Sequence, residues 1–223
     1  MLTIVFDLDG TLIDTAPDLV DTLNVTLQRE GLPAVPFDDA RPMIGGGARG
    51  MIERALAAEG RTVVQADLDR MFAGFIEYYA AHIADRSRPF PRLEQTLDDL
   101  AAAGHRLAVC TNKLEWLSVK LLRTLGLAER FVAICGQDTF RVQKPNPEIL
   151  LGTIRKAGGE TRQAVMVGDS GTDIRTARAG NVPVIAVDFG YAEAPIATLS
   201  PDRIISSYAD LPSAIDELTA GVD

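Results

Sequence analysis

The sequence contains few of the residues that build disulfide frameworks and zinc sites. It has two cysteines, Cys110 and Cys135, and two histidines among 223 residues. Two cysteines are too few for a disulfide framework, and no further Cys or His stands close to either of them in sequence. Because both cysteines lie within apolar stretches, we expect reduced thiols in the core of a cytoplasmic protein.

The sequence also lacks long apolar runs and an excess of basic charge. No run approaches the roughly 18 to 20 residues that a membrane helix needs. The opening apolar run is followed at once by Asp7 and Asp9, so we expect neither a signal peptide nor membrane association. The 22 basic side chains are outnumbered by 31 acidic ones, and the net charge of -9 argues against binding to nucleic acid. An anionic ligand would therefore require a locally positive site.

What the sequence does contain is typical of a globular α/β protein. It has 47% apolar and 24% charged residues, and its length suffices for a domain that carries a smaller insertion. Short runs rich in valine and isoleucine alternate with amphipathic stretches, which predicts a Rossmann-like parallel sheet surrounded by helices. The predicted strands are residues 2–6, 107–110, 132–135, 164–167 and 182–187.

The alternation is interrupted between the first and second predicted strands, where the sequence has helical periodicity but no convincing strand. The clearest helices are predicted at residues 17–29, 51–58 and 68–83. We therefore expect a small helical cap domain, residues 15–85, inserted into an α/β core of residues 1–14 and 86–223. Two chain crossings make a natural hinge, so the inserted domain is expected to act as a lid.

Polar side chains stand where the predicted strands end. They are Asp7 and Asp9 after the first strand, Thr111 after the second and Asp169 after the fourth. Because the carboxyl ends of parallel strands meet at one edge of the sheet, where open α/β folds bind ligands, we expect these side chains to converge. Asn146 and Pro147 fit the start of a helix, which would direct Lys144, just before them, toward the same edge.

Carboxylates crowded at one point repel one another, so a protein tolerates them only with a bound cation, a shared proton or both. Oxygen ligands with room for water and phosphate suit Mg²⁺. Asp7 and Asp9 would share one face of an extended strand, and Gly10 lets the chain turn immediately afterwards. Such a pair of carboxylates can divide nucleophilic and acid/base chemistry.

Four short motifs occur in order along the chain. They are DLDGT at residues 7–11, TN at 111–112, KP at 144–145 and GDS at 168–170, with Asp173 soon after. Together they resemble the signature motifs of the haloacid dehalogenase-like phosphatase superfamily, and the resemblance covers nearly the whole chain. The helical insertion resembles the small cap of the subgroup that includes phosphoglycolate phosphatase and β-phosphoglucomutase. Within this subgroup, residues 9–19 and 44–47 are most similar to the bacterial phosphoglycolate phosphatases.

The resemblance implies a phosphomonoesterase that forms an aspartyl phosphate. Asp7 would be the nucleophile, and Asp9 would protonate the leaving group and later take a proton from water. Mg²⁺ would be held by Asp7, by the backbone carbonyl of Asp9 and by Asp169. Ser170 and Asp173 would position the residues that bind the metal, without binding it themselves.

The resemblance also implies residues that bind the phosphate and the leaving group. Thr111 and the backbone of Asn112 would hold phosphoryl oxygens, and Lys144 would neutralise charge on Asp7 and on the phosphoryl group. In the cap, the residues expected near the substrate are Gly46, Gly47 and Arg49.

Several further residues near the predicted site lie outside the four motifs. Lys113 is interpreted as a surface charge at the start of a helix, and Trp116 as a side chain packed on the sheet. Gly190 and Tyr191 follow the fifth predicted strand and could touch the substrate. The next residue, Ala192, stands where phosphoglycolate phosphatases tend to carry a further glycine. This difference weakens the prediction that the chain shares their substrate.

The leading hypothesis is a Mg²⁺-dependent phosphoglycolate phosphatase that acts on a small phosphorylated metabolite. Other enzymatic hypotheses are a phosphatase of N-acetylmuramate 6-phosphate, pyrophosphate or a sugar phosphate, and a phosphosugar mutase. The mutase stays open because contacts in the cap decide whether water or a sugar receives the phosphoryl group. A hypothesis of a different class is a catalytically silent phosphate-binding scaffold, against which the complete set of motif residues argues. The oligomeric state and the pathway stay open.

Overall fold

A parallel six-stranded sheet runs through the centre of the protein, as seen in a computed structural model that describes residues 1–219. The strands, in chain order, are β1 (Thr3–Phe6), β2 (Ile13–Asp14), β3 (Arg88–Pro89), β4 (Arg106–Cys110), β5 (Ala133–Cys135), β6 (Ala164–Gly168), β7 (Val184–Val187) and β8 (Arg203–Ile205). Six of them pair in parallel in the order β5-β4-β1-β6-β7-β8, and β2 and β3 form a separate antiparallel pair. The first strand of the chain therefore lies inside the sheet, between β4 and β6.

Helices connect the strands and form most of the insertion. Within residues 1–219 they are α1 (Ala16–Arg29), α2 (Phe37–Ala40), α3 (Gly47–Ala58), α4 (Gln65–Ala81), α5 (Leu93–Ala102), α6 (Glu115–Thr124), α7 (Pro147–Lys156), α8 (Gly171–Ala179) and α9 (Leu211–Thr219). Short 3₁₀ turns lie at Arg41–Met43, Ala128–Arg130, Thr161–Gln163, Ile196–Leu199 and Tyr208–Asp210. A search of the described residues finds no helix whose length and apolar character would let it cross a membrane.

The predicted α/β fold class is confirmed, and every predicted strand is present with small differences at its ends. The sequence pattern does not predict the edge strand β8, because its first two residues are exposed and only Ile205 is buried. It also does not predict β2 and β3, which are two residues long each and are defined only by their pairing with each other. Strands of this kind have no periodicity of their own that a sequence could reveal.

The inserted segment is helical, as its periodicity predicts. In α1, Pro17 occupies the first turn, and Leu19, Leu23 and Leu27 recur at helical spacing on the buried face. The helix α3 begins one turn earlier than predicted, at Gly47, because that first turn is rich in glycine and has no apolar periodicity. The four-residue helix α2 is too short for its periodicity to be recognised.

Apolar side chains pack on both faces of the sheet. Along β1, Ile4 and Phe6 belong to one buried cluster and Val5 to another, as expected for a strand whose side chains alternate. The cluster that contains Phe6 also includes Met51 and Phe75 from the insertion. The insertion and the sheet therefore share one apolar core, and hydrophobic burial holds them together.

Two sets of hydrogen bonds hold the points at which the chain enters and leaves the insertion. The short strands β2 and β3 pair there. Next to them, the Asp18 carboxylate is 4% exposed and accepts hydrogen bonds of 2.6 to 3.1 Å from the backbone N–H groups of Arg86 and Ser87 and from the Ser87 hydroxyl. Asp18 thus links the first helix of the insertion to the returning chain.

Replacing Asp18 with alanine should lower the free energy of unfolding by about 2 to 4 kcal/mol, because several buried donors lose their acceptor. Chemical denaturation of Asp18→Ala and of the wild type measures this difference. The matched control is Asp21→Ala, whose side chain is 59% exposed and contacts Arg86. An exposed ion pair of this kind should contribute less than about 1 kcal/mol. Equal destabilisation in the two variants would contradict the role of Asp18.

Candidate active site

The carboxyl ends of three neighbouring strands bring the predicted polar residues together. Asp7 follows β1, Thr111 follows β4 and Asp169 follows β6. Their exposed fractions are 5%, 2% and 2%, so all three side chains are buried. Residues that are far apart in sequence therefore meet in one small volume at the edge of the sheet.

Three carboxylates form an acidic cluster at this edge. Oxygen atoms of Asp7, Asp169 and Asp173 lie within 4.8 Å of one another. The Asp169 carboxylate accepts hydrogen bonds from the Thr11 hydroxyl at 2.8 Å and from the backbone N–H of Tyr191 at 2.7 Å. Burial raises the pKa of Asp7 and of Asp169, and the neighbouring Asp173 carboxylate also raises both. Acidic groups this close and this buried favour a cation beside them.

One buried ammonium offsets part of the negative charge. Lys144 Nζ lies 2.8 Å from Asp7 Oδ1 and 2.6 Å from Asp173 Oδ1. The Asn112 side chain holds the Lys144 backbone, accepting from its N–H at 2.8 Å and donating to its carbonyl at 3.1 Å. As predicted, Asn146 caps the helix that follows. Burial lowers the pKa of Lys144, but the two carboxylates raise it by more, so the ammonium stays charged.

Ser170 and Asp173 form a capping box at the start of α8. Asp173 Oδ2 accepts hydrogen bonds from the Ser170 backbone N–H at 3.1 Å and from the Ser170 hydroxyl at 2.6 Å. The other oxygen of Asp173 contacts Lys144. The structure puts the Asp173 carboxylate in the acidic cluster and Ser170 next to it, and their predicted support of a metal site stays a prediction.

The Asp9 carboxylate makes different contacts. Its Oδ1 accepts a hydrogen bond from the Thr15 hydroxyl at 2.8 Å, and its Oδ2 lies 3.1 Å from Lys113 Nζ. Its side chain therefore has partners of its own, separate from the three carboxylates of the acidic cluster. The contribution of the Asp9 backbone carbonyl to a metal site stays a prediction.

The interpretation of Lys113 as a surface charge is wrong. Lys113 is 8% exposed, and besides contacting Asp9 its Nζ donates a hydrogen bond to the Tyr79 hydroxyl at 3.1 Å. Burial lowers the pKa of Lys113, but Asp9 and Tyr79 raise it by more. Its position directly after the TN motif, at the end of a central strand, is the sequence signal that could have identified it. The expectation for Trp116 is also wrong, since that side chain is 48% exposed.

Two glycines allow loops to approach Asp169 closely. Gly10 has a φ of +81°, and a Cβ there would lie 2.4 Å from Asp169 Oδ2. A Cβ on Gly190 would lie 2.2 Å from the Cβ of Asp169. The neighbouring Tyr191 donates its hydroxyl to Asp14 at 2.6 Å and thereby holds this loop to the start of the insertion.

A small cavity of about 40 Å³ lies between the sheet edge and the insertion, and we call it the inner cavity. Its polar lining consists of Asp7, Asp9, Thr111, Asn112, Lys113 and Gln137 from the core and Tyr79 from the insertion. The insertion contributes mostly apolar side chains, such as Met51, Phe72 and Phe75. Chemistry at Asp7 would therefore take place in an enclosure whose far wall is apolar.

The predicted cap residues lie in and beside this cavity. Gly47 lines it, has a φ of +74°, and would place a Cβ 2.9 Å from the Asn112 carbonyl oxygen. Gly46 and Arg49 line a second cavity of about 370 Å³, which we call the outer cavity. The Arg49 guanidinium pairs with Asp69 at 2.7 Å. The structure thus brings Gly47 to the inner cavity and keeps Gly46 and Arg49 next to it.

Replacing Gly10 with alanine should distort the acidic cluster, because the added Cβ collides with Asp169. The matched control is Gly104→Ala, since Gly104 has a φ of +83° but nothing within 4 Å of an added Cβ. Both variants should lose about 1 to 2 kcal/mol of unfolding free energy through the left-handed backbone. Gly10→Ala should lose about 1 to 3 kcal/mol more through the collision. Denaturation curves compare the two, and equal losses would speak against the close approach.

Comparison with known proteins agrees with this arrangement. Residues 4–187 match the family described as haloacid dehalogenase-like hydrolase. A phosphoglycolate phosphatase of Agrobacterium fabrum is 48% identical over 213 residues, which are 96% of this chain and 91% of that protein. A phosphoglycolate phosphatase of Mesorhizobium japonicum is 49% identical over 205 residues, which are 92% of this chain and 90% of that protein.

A solved structure shows the same architecture. A predicted phosphoglycolate phosphatase from Haemophilus somnus superposes with a TM-score of 0.86 at 28% identity, covering 96% of this chain and 98% of that one. The two sequence matches and this superposition cover nearly the full length of this chain and of each protein compared with it. The chain belongs to the haloacid dehalogenase-like hydrolase family.

Proposed function

We propose that this chain hydrolyses 2-phosphoglycolate to glycolate and phosphate in the cytoplasm. The observation that carries the proposal is the inner cavity, in which Asp7 and Asp9 line a space of about 40 Å³. Both carboxylates can therefore reach one phosphate ester in this cavity, Asp7 as the nucleophile and Asp9 as the acid. Near-full-length relatives named phosphoglycolate phosphatase support the same substrate.

The proposed domain organisation places a cap of residues 15–85 on a core of residues 1–14 and 86–223, of which 220–223 lie outside the described residues. Two chain crossings connect the cap to the core, and the Asp18 contacts hold one of them. Opening about these crossings would admit the substrate, and closing would exclude water from the inner cavity.

In the first proposed step, Asp7 attacks phosphorus. Asp7 Oδ1 contacts Lys144 at 2.8 Å and accepts from the Leu8 backbone N–H at 2.7 Å. Within residues 1–219 these contacts both go to Oδ1, so Oδ2 keeps its lone pairs for the attack. As the new bond forms, the bond between phosphorus and the glycolate oxygen breaks. Asp9 gives its proton to that oxygen, and glycolate leaves.

In the second proposed step, water hydrolyses the aspartyl phosphate. Asp9 takes a proton from the water molecule as the water oxygen attacks phosphorus, and the bond between phosphorus and the Asp7 oxygen breaks. The contacts from Thr15 and Lys113 hold the Asp9 carboxylate in place for both proton transfers. Asp7 and Asp9 return to their starting protonation states, so the cycle is complete.

The phosphoryl group is proposed to be bound by Thr111, by the backbone of Asn112 and by Lys144. The Thr111 hydroxyl oxygen accepts a hydrogen bond from the Lys113 backbone N–H at 3.2 Å. Because its acceptor side is used in this way, its hydrogen can be donated to a phosphoryl oxygen. The contacts proposed from the cap are Gly46, Gly47 and Arg49.

The acidic cluster fits Mg²⁺, since three buried carboxylates within 4.8 Å supply hard oxygen ligands whose negative charge Lys144 only partly offsets. We propose that Asp7, Asp169 and the backbone carbonyl of Asp9 hold the ion, with Ser170 and Asp173 supporting them. When bound, Mg²⁺ would reduce the repulsion between the nucleophile and the phosphate. This local positive charge lets a protein with a net charge of -9 bind an anionic metabolite rather than nucleic acid.

The substrate proposal predicts a preference that steady-state kinetics can measure. Phosphate release should be compared for 2-phosphoglycolate, N-acetylmuramate 6-phosphate, pyrophosphate and hexose phosphates in the presence of Mg²⁺. We expect kcat/KM for 2-phosphoglycolate to lead by about 100-fold or more, which is about 2.7 kcal/mol of transition-state discrimination. A lead by another phosphate would overturn the substrate proposal and leave the chemistry intact.

The nucleophile proposal predicts that Asp7→Asn lowers kcat by at least about 10⁴-fold, because an amide oxygen cannot form the covalent intermediate. Asp21→Asn, on the exposed face of α1, is the matched control and should retain the wild-type rate. If neither wild type nor variants release phosphate from any compound in the panel, the catalytically silent scaffold is the better explanation.

The metal proposal predicts a stabilisation that does not depend on activity. Mg²⁺ at about 100 times its dissociation constant should stabilise the folded wild-type protein by about 2.7 kcal/mol. Thermal unfolding with and without Mg²⁺ should show this as an increase in Tm that EDTA reverses. In Asp169→Asn the increase should be absent. The same increase in that variant would show that the ion binds elsewhere.

A further inference from the structure

We propose that Lys113 binds the carboxylate of the leaving group and thereby makes the enzyme specific for phosphate esters of small hydroxy acids. This inference rests on the proposed function, because it concerns the group that leaves when Asp7 attacks. It assigns to Lys113 a role in the reaction beyond its contact with Asp9.

The charges that line the inner cavity favour Lys113 as the partner of a carboxylate. Among the described residues that line it, Lys113 is the only cation, and the other two charged residues are Asp7 and Asp9. The insertion lines the cavity mostly with apolar side chains, which do not stabilise a carboxylate, and its Tyr79 hydroxyl already contacts Lys113. A leaving group with a negative charge could therefore find its partner in this cavity at Lys113.

The Lys113 ammonium has a hydrogen-bond donor left for a ligand. An ammonium has three N–H groups. Within residues 1–219, Lys113 Nζ contacts Asp9 Oδ2 at 3.1 Å and the Tyr79 hydroxyl at 3.1 Å. These two contacts leave a third donor for a ligand. They also fix the ammonium between the core and the helix α4, so it is placed before a substrate arrives.

Lys113 also lies close to the proposed acid. Asp9 must reach the ester oxygen of the substrate in order to protonate it, and Lys113 lies 3.1 Å from Asp9. In 2-phosphoglycolate a single CH₂ group separates the ester oxygen from the carboxylate. A substrate whose ester oxygen contacts Asp9 would thus hold its carboxylate within reach of Lys113.

Arg49 is the other cation to consider. It lines the outer cavity and not the inner one, and its guanidinium is paired with Asp69 at 2.7 Å. Its Nη1 is buried without a hydrogen-bond partner among the described residues, but Arg49 would have to enter the inner cavity to bind the leaving group. Lys113 needs no such rearrangement, which is why the geometry favours it.

The experiment compares two substrates that differ by the carboxylate. Phosphate release from 2-phosphoglycolate and from ethyl phosphate gives a ratio of kcat/KM values for each variant. In Lys113→Met this ratio should fall by about 100-fold or more relative to the wild type, because the variant removes the partner of the carboxylate. Lys113→Gln, which lacks the charge but can still donate to Asp9, should lower the ratio in the same way. Lys156→Met, a partly exposed lysine on α7, is the matched control.

The outcomes separate this inference from the proposed function. If the wild type shows no preference for 2-phosphoglycolate, the proposed function itself fails. If the wild type shows the preference but Lys113→Met and Lys113→Gln lose activity equally on both substrates, Lys113 acts only through Asp9 and the inference is wrong. A larger fall of the ratio in Arg49→Met than in the Lys113 variants would also overturn it. Circular dichroism checks the fold, and should Lys113→Met not fold, Lys113→Gln decides.

Discussion

The burial of three carboxylates around one ammonium is the constraint on which the rest of the structure depends. Asp7, Asp169 and Asp173 stand at the edge of the sheet, and Lys144 contacts two of them. Ionised groups removed from water are stable only when each has close, well-directed partners. The three neighbouring strand ends, the capping box of α8 and the backbone N–H of Tyr191 supply those partners. Much of the local architecture therefore serves to keep like charges close together.

Apolar side chains of the insertion face this charged edge of the sheet. Met51 and Phe75 belong to the same buried cluster as Phe6, so the insertion is held to the sheet by the same hydrophobic burial that stabilises the core. The inner cavity lies at this boundary, with Asp7, Asp9 and Lys113 on one side and mostly apolar side chains on the other. Exclusion of water from such a space strengthens every electrostatic contact within it. The chemistry thus depends on both parts of the chain.

Two lysines make an anion site possible in an acidic protein. Lys144 is set among the carboxylates of the acidic cluster, and Lys113 is set between Asp9 and Tyr79. For each lysine, burial lowers the pKa while its acidic neighbours raise it by more. The ammonium groups stay charged for that reason, and the overall net charge of -9 does not determine what the site can bind.

The sequence by itself determined the α/β class, the predicted strands and the motif residues, because strand periodicity and short motifs are local properties of the chain. Asp7, Thr111 and Asp169 could be placed together in advance, since parallel strands end at one edge whatever surrounds them. The edge strand β8 and the paired strands β2 and β3 could not, because their residues become strands only through their partners.

Tertiary structure alone decided which side chains around the motifs are buried together. Lys113 and Trp116 are close in sequence, yet Lys113 is buried beside Tyr79 and Trp116 is exposed. Lys113 is covered by Tyr79 of α4, a helix distant from it in sequence, and no local pattern encodes that contact. The pairing of Arg49 with Asp69 likewise depends on how α3 and α4 meet. Burial is a property of the whole fold, so the partners of a charged side chain become known only when distant segments have been brought together.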